Sequence, residues 1–160
     1  MRAITWQKNI PVRYEGDVAV MGGGIAGVCA ACAAAKEGAS VILVERFAVT
    51  GGNATSGGVG NWCGDTRGQG AIFDEIIANQ EEWRAIEPYK GPYSHVHNST
   101  RVFDHEILAI ILQEILRRYG VKLLLHTRFV DTMLTDSTIT EALIAGPSGP
   151  EALYASVFID

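Results

Sequence analysis

The chain has 160 residues, 48% of them hydrophobic and 19% charged, and a formal net charge of −5. That length and balance describe one globular domain with a real core and exclude a disordered chain. A negative charge without any basic run excludes a nucleic-acid surface, and no apolar stretch reaches the roughly 18 residues of a spanning helix.

Residues 1–16 scatter Arg2, Lys8 and Arg13 without an apolar signal core, and are expected to form an N-terminal arm leading into the first strand. Asp17–Met21 is a short run of strand formers. It ends in Gly22-Gly23-Gly24-Ile25-Ala26-Gly27, and helix-prone residues follow at once. Strand, glycine turn and helix are the context in which GxGxxG signals a dinucleotide site. Gly22 permits the sharp turn, Gly24 leaves room for a pyrophosphate against the backbone, and Gly27 lets the helix pack closely. Free N–H groups at the helix start, around Ile25 and Ala26, and the positive end of its dipole then face the phosphates.

The first helix, about Ala26–Glu37, stops at Gly38. Cys29 and Cys32 inside it match a redox CxxC only superficially. They read as packing, because no neighbouring charge lowers a thiol pKa. The second strand, Ser40–Glu45, ends in a carboxylate 18 residues after Gly27. An acid there accepts hydrogen bonds from the adenosine ribose and repels a 2′-phosphate, which disfavours NADP. FAD and NAD share that half, so residues 22–45 alone leave both open. The bland alternative is a glycine-rich turn that binds nothing.

Gly51–Gly70 holds eight glycines, too many for a helix or an ordinary strand, as suits a backbone that hugs a ligand. Ala71–Glu87 carries a helical apolar face of Ile72, Phe73, Ile76, Ile77, Trp83 and Ile86. Residues 88–100 read as a polar loop. Its His95 and His97 lack a carboxylate or thiolate at ligand spacing, so no metal is expected. Asp104 is an N-cap for the next helix, whose last turn has Arg117 and Arg118 and whose stop is Gly120. Val121–His126 reads as a buried strand feeding a parallel sheet. Phe129–Leu134, Ile139–Ala145 and Leu153–Tyr154 read as a β-meander, and Ala155–Asp160 as one more buried strand.

Together these elements predict a doubly wound α/β dinucleotide-binding domain over 17–160, with a parallel sheet and a small meander. A core strand at the very end gives the expectation that the domain is incomplete at its C-terminus. Three cysteines, Cys29, Cys32 and Cys63, are too few for a disulfide framework and point to a reducing cytoplasm. Expected partners are a small-molecule substrate, with no nucleic acid and no membrane; a homo-oligomer is compatible with the sequence.

Four stretches carry a family resemblance over Asp17 to Asp160. They are Val20 to Gly27; Val44-Glu45-Arg46; Thr50-Gly51-Gly52-Asn53-Ala54-Thr55; and Arg101-Val102-Phe103-Asp104 with Gly120-Val121, the meander and Val157 to Asp160. They resemble the N-terminal FAD-binding part of FAD-dependent oxidoreductases with two dinucleotide-binding domains, distantly similar to fumarate reductase flavoproteins. The resemblance implies a Rossmann-like fold, FAD rather than NAD, and hydride transfer on a small organic substrate. It implies that Arg46 lies over the adenine and that Gly51, Gly52, Asn53, Ala54 and Thr55 flank the pyrophosphate and ribityl chain. It also implies that Val130 offers its backbone to the adenine. In the family a second FAD contact follows the last strand, and the substrate domain and catalytic residues lie further on, so no catalytic residue is assigned. Cys63, within Asn61–Asp65, reads as a buried loop thiol. The alternatives are an NAD-dependent dehydrogenase domain and a dinucleotide-binding module without turnover.

Overall fold

The computed structural model describes residues 2–5, 7–91 and 100–160. Its centre is a six-stranded sheet. The strands in chain order are β1 (Val12–Met21), β2 (Val41–Val44), β5 (Lys122–Leu124), β6 (Arg128–Thr135), β7 (Thr138–Gly146) and β8 (Gly149–Ile159). They lie side by side as β5-β2-β1-β8-β7-β6, while β3 (Asn61–Cys63) and β4 (Thr100–Val102) form a separate antiparallel pair. β5, β2, β1 and β8 run parallel; β8, β7 and β6 are the antiparallel meander.

All four residues of β2, Val41 to Val44, are buried, as befits a central parallel strand covered on both faces. Alternate residues go to different layers. Val20, Val41 and Leu43 join the helices, whereas Ala19, Ile42 and Val44 join Ile144, Leu153 and Ala155 on the other face. The helices are α1 (Ile25–Lys36), α2 (Ala71–Glu82) and α3 (His105–Arg118), and all three share the first of these layers. The doubly wound expectation is therefore corrected: among the described residues the second face is covered by strand residues alone. The small side chains of α1 explain the tight layer, since Val28, Ala31 and Cys32 let it sit close to β1 and β2.

Local chemistry sets several boundaries as expected. Asp104 caps α3, its Oδ1 accepting from the N–H groups of Glu106 (2.9 Å) and Ile107 (3.0 Å). Other boundaries move. β1 starts at Val12, taking in residues 12–16 that the sequence assigns to the arm. α2 ends at Glu82, not Glu87, because Arg84 takes a left-handed φ of 55° and returns the chain to β4. There Glu87 N–H donates to the Val102 carbonyl and Asp104 N–H to the Ala85 carbonyl, a pairing that outcompetes another helical turn. The two strands expected after residue 152 are a single strand. β8 pairs with β7 over 149–154 and with β1 over 152–159, and this overlap leaves nothing to break it between Tyr154 and Ala155. His95 and His97 lie outside the described residues.

The β3–β4 pair is held by a buried cation. Arg101 is 3% exposed; its Nη2 meets Glu81 Oε1 at 2.8 Å, Nη1 donates to Thr66 Oγ1 at 3.0 Å, and Nε donates to the Glu87 carbonyl at 2.8 Å. Beside it Trp62 packs on Phe73 and Phe103 and donates its indole N–H to Gln80 Oε1.

The thiols divide by burial. Desolvation pushes Cys32 up to about 12, with Cys29 and Glu75 adding to it, and burial raises Cys29 as well. These are the packing thiols expected, with no redox character at neutral pH. Cys63 is instead exposed on β3, which corrects its reading as a buried loop thiol.

Two outcomes follow from these contacts. Arg101→Met should lower stability by about 2 kcal/mol, the worth of charge-assisted hydrogen bonds lost at a buried site, read from the urea midpoint. With a thiol-specific chromogenic reagent at pH 8, Cys63 should react at once, the half-buried Cys29 more slowly, and Cys32 only after unfolding; a fast Cys32 would contradict its burial.

Candidate functional site: a glycine-lined cleft at the sheet's carboxyl edge

At the carboxyl ends of β1 and β2 the chain leaves the sheet through two glycine turns. Gly22 has a φ of 125°, a conformation that L side chains rarely adopt, and it turns β1 into α1. A Cβ at Gly27 would collide with the Gly22 carbonyl oxygen, so only glycine lets α1 start so close to the strand end. Gly24 is different: a Cβ there would meet nothing within 4 Å. Its absence serves the space in front of the turn, not the packing behind it.

α1 begins at that space without a cap. Gly24 is its N-cap residue, no side chain accepts from its first N–H groups, and its first turn has no acid. The first turn of a helix leaves N–H donors without intrahelical partners, and here the sequence supplies none. The contrast with the capped α3 is direct.

The second glycine turn docks on the first by backbone alone. Gly51 N–H donates to the Gly23 carbonyl at 2.6 Å, and Gly24 and Gly51 form an isolated parallel bridge. A Cβ at Gly52 would stand 3.2 Å from the Gly24 Cα. Residues 22–27 and 51–52, expected to work together, are thus brought side by side.

Glu45 joins this arrangement from the end of β2. The residue is 5% exposed, its Oε2 accepts from Gly23 N–H at 2.8 Å and its Oε1 from Phe47 N–H at 2.7 Å. A buried carboxylate needs such donors. One oxygen therefore holds the glycine turn and the other holds the bend that follows β2. Each has a further lone pair.

The cleft in front of these groups has a volume of about 540 Å³. Gly22, Gly24 and Gly52 line it with Glu45; Arg46, Phe47, Thr127, Arg128 and Phe129 also line it, together with the strand-end residues Met21 and Val44. The last segment is tied on by backbone bonds, Thr127 N–H to the Glu45 carbonyl and His126 N–H to the Phe47 carbonyl. Phe47, Thr127, Arg128 and Phe129 were not singled out from the sequence. Their only sequence signal is that an Arg-Phe pair follows each of two neighbouring strands.

The remaining candidates divide. Ile25 is half-buried and packs on the helix-side core, and Ala26 is exposed in the first turn of α1. Asn53 is exposed in a short 3₁₀ turn, Gly52–Ala54. Ala54 and Thr55 are both buried, Ala54 in the core and Thr55 with its Oγ1 donating to the Thr50 carbonyl at 2.6 Å. Their side chains shape the loop from within and do not line the cleft. Val130 lies one residue past the lining, at an irregularity where Phe129 pairs with Ile144 and Asp131 with Leu143 while Val130 has no partner in register. Among the described residues no group of three or more metal-ligating side chains is found, and no helix is long and apolar enough to cross a membrane.

Comparison with known proteins agrees with this geometry. A family profile described as FAD dependent oxidoreductase matches residues 17–160. No curated protein matches the chain. Solved structures match in fold. The myxobacterial chondrochloren halogenase CndH, a variant of FAD-dependent halogenases, is 16% identical over 91% of this chain and 37% of its own, with a TM-score of 0.65. A geranylgeranyl bacteriochlorophyll reductase-like protein from Thermoplasma acidophilum is 18% identical over 91% of this chain and 38% of its own, with a TM-score of 0.65. A flavocytochrome c3 fumarate reductase is 18% identical over 92% of this chain and 33% of its own, with a TM-score of 0.60. At such identities the likeness is one of fold. This chain spans 33% to 38% of the length of those three structures.

Replacing Glu45 by Gln turns one acceptor oxygen into a donor facing a backbone N–H. The variant should lose about 1–3 kcal/mol of stability, the cost of an unsatisfied buried group. Thermal unfolding without any ligand measures it, and an unchanged midpoint would show that the carboxylate does not brace the turn.

Proposed function

The chain belongs to the FAD dependent oxidoreductase family, and from that membership we propose that it forms the adenosine- and pyrophosphate-holding part of an enzyme acting by hydride transfer on a small organic substrate. The cofactor is FAD. The observation that carries the reading is the uncapped start of α1, opening on a cleft where Gly24 has empty space before it.

The residues fit the group. Two negative phosphates need donors and no side chain in the way, and Gly22, Gly24 and the first turn of α1 offer both. Gly51 and Gly52, docked on that turn, extend the bare backbone beyond it. Glu45 has lone pairs left after its two backbone bonds and would accept from the ribose hydroxyls. Arg46, on the cleft lining, offers a planar cation to the base.

The flavin, when bound, supplies the two-electron redox chemistry; the protein's share is to orient it and to exclude water. In the described residues this share is binding. Glycine backbones fix the diphosphate, the Glu45 carboxylate fixes the sugar, and the rigid β1–turn–α1 unit holds both in register with the sheet. The three free thiols suit a reducing cytoplasm.

Gly24→Val isolates the site from the fold. The backbone at Gly24, φ −64° and ψ 175°, is open to any residue, and the added Cβ meets no neighbour. The variant should therefore melt like the parent without ligand, yet fail to bind FAD. FAD at ~1,000 times its dissociation constant should stabilise the parent by about 4 kcal/mol, with visible flavin absorption, and NAD, which shares only the adenosine diphosphate half, should stabilise it less at the same concentration. Equal FAD binding by parent and variant would move the phosphate site elsewhere.

A further inference from the structure

The two edges of the central sheet are unlike. β5, at one edge, has three residues and begins with the exposed Lys122. β6, at the other, has eight, and among the described residues it pairs with β7 alone. Every second residue of such a strand turns its N–H and carbonyl away from the sheet, and a free row of this kind is a template for another strand. Long edges are commonly blunted by lysine, proline or a bulge, or are covered. β6 has no lysine and no proline, and its own irregularity falls at Val130, near one end. From Asp131 to Thr135 each of its residues has a β7 residue opposite, so this stretch is regular. Its side chains are also uncovered: Leu134 is 63% exposed, Met133 59% and Val130 51%.

The order of residues in β6 says what fits it. When a strand pairs antiparallel with a copy of itself about a two-fold axis, one residue must stand opposite its own counterpart. Centring the pair on Asp131 would set two carboxylates face to face, which is destabilising. Centring it on Thr132 sets threonine on threonine and, twice over, Val130 on Leu134 and Arg128 beside Asp136. Each of these is a favourable cross-strand pair. Asp136 is held at that end by a tight turn, in which it and Ser137 take left-handed φ values of 48° and 68°. Centring on Met133 would instead bring Arg128 to Thr138 and lose the charge pairing. Charge and apolar contacts therefore select the same register, and the strand that supplies both is a second copy of β6.

We propose that β6 is a self-association edge, along which two copies of this chain pair antiparallel about Thr132 and join their six-stranded sheets into one. The contact is isologous and closes at two copies, since each β6 has one free side. It also places Asp136 of the second copy beside Arg128, which lines the cleft. The pairing is independent of what the cleft binds.

The experiment uses the purified chain and reads its mass by sedimentation over a range of concentrations. The parent should weigh 17.2 kDa when dilute and twice that when concentrated. Leu134→Lys puts a lysine on the edge, and Arg128→Glu sets like charges opposite; each should raise the dissociation constant about tenfold. Adding Asp136→Lys to Arg128→Glu should bring it back toward the parent value. The register is tested by crosslinking with the exposed Cys63 replaced by serine. Under a mild oxidant Thr132→Cys should form a covalent dimer and Met133→Cys should not, because only a residue opposite itself brings its two copies within disulfide reach. A parent that stays at single mass at every concentration would overturn the proposal. So would a dimer that none of the edge variants weakens, a mass that keeps growing past two copies, or equal crosslinking at both positions.

Discussion

The buried Glu45 carboxylate is the constraint on which the site depends. It sits at the end of a fully buried strand, where a charge is tolerated only with donors in place. The donors it finds are the backbone N–H groups of Gly23 and Phe47, one from the turn after β1 and one from the bend after β2. A single side chain thereby fixes two loops relative to each other. The second glycine turn then adds its own backbone contact to Gly23 from the far side. The cleft's floor is thus assembled from main chain, with one acidic group as its fastener.

What could be read from sequence was what local chemistry decides. Gly22, Gly24 and Gly27 between a strand and a helix specify a turn whatever lies around them. Asp104 caps its helix through atoms two and three residues away. Glu45 was legible because its position in the unit is fixed by chain length. What escaped was settled by distant partners. The end of α2 depends on residues 102–104, and no pattern within 71–87 announces that. β8 reads as two strands, yet its pairings with β7 and with β1 overlap at residues 152–154 and make it one. That the side chains of Ala54 and Thr55 are buried is likewise decided by distant residues of the core. Phe47 and Phe129 are ordinary aromatic residues in the sequence; only the fold brings them to one cavity.

Family membership and geometry carry different parts of the functional reading. The match over residues 17–160 brings the cofactor and the class of chemistry. Structures of the same fold include a halogenase and a fumarate reductase, so the architecture is compatible with unlike reactions. Function lives in sites grafted on folds, and the part proposed for the described residues is the binding of the nucleotide half. Reaction specificity belongs to whatever surrounds the flavin ring. The proposal of hydride transfer accordingly rests on the cofactor's own chemistry, and the assignment of binding roles rests on named atoms in this chain.

β8 has a mechanical consequence. One continuous backbone of 11 residues is stitched to the antiparallel ribbon along its leading portion and to the strand bearing the glycine turn along its trailing portion. The ribbon cannot peel away as a separate cooperative unit without loosening the same backbone that flanks β1. Strain applied to the hairpin between Gly146 and Gly149 is therefore transmitted along a covalent line toward the glycine turn, and a ligand seated there would in turn stiffen a distant edge of the molecule.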